Sequence, residues 1–185
     1  MERLSPDEGE ISVARVNYDT LAGALRVASV GKEPSAFAVA VLTYHAALEV
    51  ELDVLLVDQL PRPEKILTGR GPLNFAQKAA VINAAWRGDP EGGDVLERVL
   101  VAFNELRNAV AHNDKKQVKA CYDALVKSYK AIDPDVTAEP PLLYIALGIC
   151  GFMGDEDATE RLMKLFDKVD DATNKLAKVF GSDHS

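Results

Sequence analysis

The run Ser35–Leu60 constrains this chain most. It is the longest stretch of apolar residues at helical spacing, and it is interrupted only at Leu60-Pro61-Arg62-Pro63. One stripe reads Phe37, Val41, Tyr44, Leu48, Leu52 and Leu55. A second reads Ala38, Leu42, His45, Glu49, Leu52 and Leu56. A helix that is apolar on most sides has to be surrounded by other elements, so this segment predicts a central buried helix. At ~1.5 Å per residue it spans about 39 Å. The two prolines forbid its continuation, because proline lacks the N–H and restricts the residue before it.

The rest of the chain supplies partners of the same kind. Val16–Val30 carries Leu21, Ala24, Leu25 and Ala28 and stops at Gly31. Glu64–Leu67 reads as one further turn. Asn74–Trp86 reads as a helix with Asn74 as N-cap and Phe75, Ala79, Ile82 and Trp86 on one face. Gly88–Gly93 reads as a loop, and Asp94 as the cap of a helix Val95–Ala111. Lys115–Ala131, Leu142–Met153 and Asp155–Phe180 complete the series. No segment alternates with period two for long enough to make a sheet. The expected fold is therefore all-α, a bundle of six or seven helices around the helix at 35–60. Its organisation reads as a flexible acidic N-terminus (1–14), a helical bundle (15–132) and a C-terminal helical extension packed on the same domain (133–185).

Composition narrows the function classes. Hydrophobic residues make up 48% of the chain and aromatics only 6%, which suits helices packed through Ala and Leu. The net charge of −8 argues against broad, non-specific nucleic-acid binding. Between Arg107 and Lys130, however, six cations stand against two anions, a local excess of +4. Lys115, Lys116 and Lys119 open that basic segment; a solvated helix face is the plain reading of it, and a rim for RNA the sharper one. Cys121 and Cys150 have no ligand or CxxC spacing and read as buried free thiols. The start MERLSPDEGE lacks the apolar core of a signal peptide, and no apolar run reaches the ~20 residues that span a bilayer. A cytoplasmic protein without membrane contact is expected. No metal-ligand cluster, phosphate loop or nucleotide fingerprint is visible, so no cofactor is expected.

Chemistry concentrates in Leu106-Arg107-Asn108-Ala109-Val110-Ala111-His112. An Arg, an Asn and a His lie within six residues of a chain that has three histidines. On a straight helix Asn108 and His112 share a face, while Arg107 lies roughly 140° from His112. If the helix ends near Ala111, His112 can swing toward Arg107. The groups suit metal-independent RNA cleavage: a neutral His as general base on a 2′-hydroxyl, an Arg clamping the scissile phosphate, and an Asn hydrogen-bonding phosphate or ribose.

The stretch Phe103–Asp114, FNELRNAVAHND, resembles the R-x4-H signature of the HEPN superfamily, in which a polar residue commonly follows the Arg; here that residue is Asn108. The resemblance implies a dimer with two Arg/His sets facing one cleft. It implies a ribonuclease, often the toxin of a toxin–antitoxin or defence system with a protein antitoxin as partner. Arg107, Asn108 and His112 would be its catalytic residues. The order of elements over Ser35–Asp114, with Gly71-Pro72-Leu73 opening a helix, also resembles the mannitol operon repressor group, which implies a non-catalytic regulator or scaffold acting through protein contacts. In that alternative Arg107 is an internal strut and His112 a helix cap.

Glu49 and Asp53 are the supporting carboxylates on either reading. Glu49 interrupts an apolar stripe, and a buried carboxylate is costly unless paired. The expected partner of Glu49 or Asp53 is Arg107 or His112, and an intrahelical His45–Glu49 pair is the alternative. Tyr44, Tyr122 and Tyr129 read as packing residues.

Overall fold

The computed structural model describes residues 36–68, 71–112, 115–154 and 163. The expected helices at 16–30 and 155–180, the 1–14 segment and Arg70 lie outside the described residues, apart from position 163, which is helical. Six helices and no strand are found among the described residues, an all-α bundle as expected.

Helix α1, Ala36–Gln59, is the predicted central helix. Val41, Leu42, Tyr44, Ala47, Leu48, Leu52 and Leu56 are buried along it. Its end is set where expected: Leu60 N–H still donates to the Leu56 carbonyl at 3.0 Å, and Pro61 then ends the ladder. Arg87 donates through Nη2 to the Gln59 carbonyl at 3.0 Å, supplying a cation and a donor at the negative end of the helix. Helix α2 is the single turn Glu64–Leu67.

Helix α3, Phe75–Ala85, starts with the predicted cap. Gln77 N–H donates to Asn74 Oδ1, and Asn74 N–H donates back to Gln77 Oε1, both at 3.0 Å.

Helix α4, Pro90–Ala111, starts a full turn earlier than its sequence signals predict. Asp89, not Asp94, is the N-cap, accepting from Glu91 N–H at 3.4 Å, and Pro90 opens the first turn. Glycines 92 and 93 read as loop residues, yet they are helical because Trp86 lies against this turn. A Cβ at Gly92 would come within 3.1 Å of Trp86 Nε1, and one at Gly93 would strike Asn83 Oδ1. The glycines allow α3 and α4 to close on each other, which outweighs their poor helix propensity. Asn83 fixes the same corner, donating through Nδ2 to Asp94 at 3.0 Å and Glu97 at 2.6 Å.

Helix α5, Lys115–Tyr129, folds back along α4 as a hairpin and buries Leu125, Val126 and Tyr129. The connector to helix α6, Leu142–Phe152, is tied down by tyrosines. Tyr122 donates to the Pro140 carbonyl at 2.5 Å, and Tyr144 donates to Asp133 Oδ2 at 2.7 Å. Gly148 brings α6 close to Tyr129, whose hydroxyl occupies the space a Cβ would need. Burial pushes the Tyr129 phenol up to about 12, so it stays protonated. Tyr44 and Tyr129 are buried and Tyr122 is half-buried, packing as their spacing predicts, while Tyr144 is exposed. Both cysteines are free; Cys150 is buried and Cys121 only half-buried.

α1 packs against α3, α4 and α6, while α4 touches α1, α3, α5 and α6. The bundle thus has two hubs rather than one. No helix among the described residues is long and apolar enough to cross a membrane.

Candidate functional site

The Arg107–His112 segment is the last turn of α4. Leu106 and Val110 point into the core and anchor it, with Ala109 buried beside them. His112 is the C-cap, at φ −84° and ψ −2°, and its N–H donates to the Asn108 carbonyl at 3.0 Å. The helix does end at Ala111, as the swing toward Arg107 requires. Even so, the backbone of His112 keeps helical conformation, and the residue stays in register with Asn108. Asn108 and His112 are exposed, and Arg107 is half-buried. Arg107 Nη1 donates to Asn108 Oδ1 at 3.2 Å, so the two neighbouring side chains form a unit on the helix end.

The basic segment follows directly. Lys116 and Lys119 are exposed on the first turns of α5. Lys119 faces Asp123 one turn on at 3.5 Å, an exposed pair of little energetic weight. Lys115 begins α5, and its side chain lies outside the described residues.

The supporting carboxylates pair elsewhere than expected. Glu49 and Asp53 pair with Lys78 of α3, not with Arg107 or His112. Lys78 Nζ lies 3.1 Å from Glu49 Oε1 and 2.7 Å from Asp53 Oδ1, the latter without hydrogen-bond alignment. The Lys78 side chain is only 7% exposed, whereas those of Glu49 and Asp53 are 32% and 36% exposed. A buried ammonium needs its counter-charge more than two half-open carboxylates need theirs, so geometry favours the lysine. Burial pushes the Asp53 carboxyl up, against the pull of Lys78. Lys78 was missed in the sequence, although it lies between Phe75 and Ala79 on a face that is otherwise core. A lysine at such a position signals a buried ion pair.

The intrahelical His45–Glu49 pair is also replaced. His45 is buried, lies face to face with Phe75 at a centroid distance of 4.1 Å, and donates from Nε2 to Asn104 Oδ1 of α4 at 3.1 Å. Burial lowers its pKa to about 4, the Asn104 hydrogen bond opposing this and the Arg107 charge assisting it. His45 is therefore neutral at pH 7. Asn104 precedes Arg107 by three residues and Asn108 by four, so it belongs to the same helix face.

Two polar regions result. Lys78 with Glu49 and Asp53 forms a closed ion-paired seam between α1 and α3. Arg107, Asn108 and His112 form an open set at the end of α4, backed by His45 and Asn104. Among the described residues Arg107 has no carboxylate within ion-pair distance. An Arg of that kind, beside an Asn and an exposed imidazole, can take a phosphate and exchange a proton. No protein-family model matches the chain, and neither a characterised protein nor a solved structure is detectably similar to it.

Proposed function

We propose that the protein is a metal-independent ribonuclease of the HEPN type that works as a homodimer. One observation carries this reading: Arg107 is left without a carboxylate partner among the described residues, next to exposed Asn108 and His112, while Lys78 pairs with Glu49 and Asp53 of α1. An arginine that served only as an internal strut would be expected to hold Glu49 or Asp53.

In the proposed reaction His112 takes the proton of an RNA 2′-hydroxyl. The 2′-oxygen forms a bond to phosphorus, and the bond from phosphorus to the 5′-oxygen breaks. The leaving oxygen receives a proton from the matching set on the second copy, and the product strand ends in a 2′,3′-cyclic phosphate. Arg107 holds the phosphate oxygens and offsets the charge that develops on them. Lys116 and Lys119, with Lys115, would draw the RNA backbone toward this end of an otherwise acidic protein. A role as toxin, held in check by a protein antitoxin, belongs to the same proposal.

The net charge of −8 favours a second reading, a non-catalytic regulator acting through protein contacts. Incubating purified protein with a mixed RNA pool in EDTA separates the two. The ribonuclease reading expects fragments with 2′,3′-cyclic phosphate ends from a dimer in solution, and their loss in His112→Ala. A folded dimer that leaves the RNA intact would favour the regulator.

A further inference from the structure

Asn104 and Asn108 have the same unusual property. Each side-chain oxygen is already in use, Asn104 Oδ1 by the Nε2–H of buried His45 at 3.1 Å and Asn108 Oδ1 by Arg107 Nη1 at 3.2 Å. In a planar carboxamide the NH₂ group is the other branch, so fixing the oxygen fixes where the two remaining donors lie. Neither NH₂ group has an acceptor among the described residues. Asn104, Arg107 and Asn108 occupy one face of the last two turns of α4, where residues three and four apart are neighbours. That face presents two amide NH₂ groups and the remaining N–H groups of a guanidinium, and each of its two carboxamide oxygens already accepts one hydrogen bond. Glu49 and Asp53 of α1 are ion-paired with Lys78.

We propose that Asn104 is a further RNA-binding residue, donating through Nδ2 to a phosphodiester oxygen beside Arg107 and Asn108, and that His45 is the positioning residue that holds its amide in this orientation. A surface rich in donors suits an anion with several acceptor oxygens, as a phosphodiester is. His45 is suited to the task because it packs from α1 against Phe75 of α3 and Phe103 of α4. The two rings flank its imidazole, and in the Nε2–H tautomer it donates to Asn104 Oδ1. The proposal rests on the ribonuclease reading for the identity of the anion.

The test uses the full-length protein and a 2′-O-methyl RNA oligonucleotide, which binds but cannot be cleaved, with unmodified RNA in parallel. Asn104→Asp keeps the shape and the acceptor for His45 but replaces the NH₂ donors with a negative oxygen. It is expected to weaken oligonucleotide binding by at least about tenfold. Asn104→Ala, which adds no charge, covers the case in which the Asp variant fails to fold, and is expected to weaken binding several-fold. His45→Phe keeps the aromatic stack and frees the amide to flip. It should weaken binding in the parent chain and have no further effect in Asn104→Ala, a coupling that a merely structural histidine would not show. Folded Asn104 variants that bind as tightly as the parent while the parent cleaves RNA would overturn the Asn104 assignment and leave the ribonuclease reading standing. A parent chain that neither binds the oligonucleotide nor cleaves RNA would overturn both.

Discussion

The seam at Lys78 and the end of α4 around Arg107 each centre on a cation, and differ in whether that cation finds its counter-charge among the described residues. At the seam a buried ammonium is held by two carboxylates one helical turn apart, and the charges serve to join α1 to α3. At the end of α4 a half-buried guanidinium has, among the described residues, no carboxylate partner and donates to a neutral amide, and the imidazole beyond it faces solvent. A polar group satisfied inside the fold contributes to stability, and one left open is available to a ligand. The difference gives the two regions opposite responses to mutation.

The largest expected effect is on cleavage. His112→Ala should reduce RNA cleavage by about 10² to 10⁴-fold, the usual contribution of a general base, and change the melting temperature by less than about 2 °C because the side chain is exposed. Lys78→Met should do the reverse. It strands two carboxylates beside an apolar core, and the loss is about 3 kcal/mol after allowing for their partial exposure. Calorimetry would register this as a drop in melting temperature of about 6 to 12 °C.

Next comes pH. His45 has a folded pKa of about 4 against an ordinary 6.5, so the unfolded chain binds its proton first as pH falls. Its contribution is present in full above pH 6.5 and is lost progressively toward pH 4, about 3 kcal/mol in all. Asp53, whose pKa is raised, acts in the opposite sense at the acid end. Urea melts of the parent and His45→Phe across this range should show the slope in the first and a flatter profile in the second. The smallest effect belongs to the exposed Lys119. Lys119→Ala should alter stability by no more than about 0.5 kcal/mol. In RNA-binding titrations it should reduce the dependence of log Kd on log salt by about one.

How much of this was legible in the sequence follows the range of the interaction. The central helix, its proline stop and the Asn74 N-cap are local patterns, and all were readable. The start of α4 was not, because Pro-Glu-Gly-Gly is a loop by local preference and becomes helical only where Trp86 and Asn83 close over it. The need of Glu49 for a partner was legible from desolvation, but the choice of Lys78 over Arg107 depends on how α3 lies against α1, and sequence spacing does not carry that. Asn104 went unnoticed because a polar residue on a helix attracts no attention until the buried His45 is seen to hold its oxygen.

The most direct measurement sets melting temperature against RNA cleavage for the parent, His112→Ala and Lys78→Met. Two kinds of polar region predict a crossed result. His112→Ala melts with the parent and does not cleave, while Lys78→Met melts far lower yet still cleaves when assayed below its transition. A His112→Ala variant that melts as low as Lys78→Met, or a folded parent that cleaves nothing, would contradict the account.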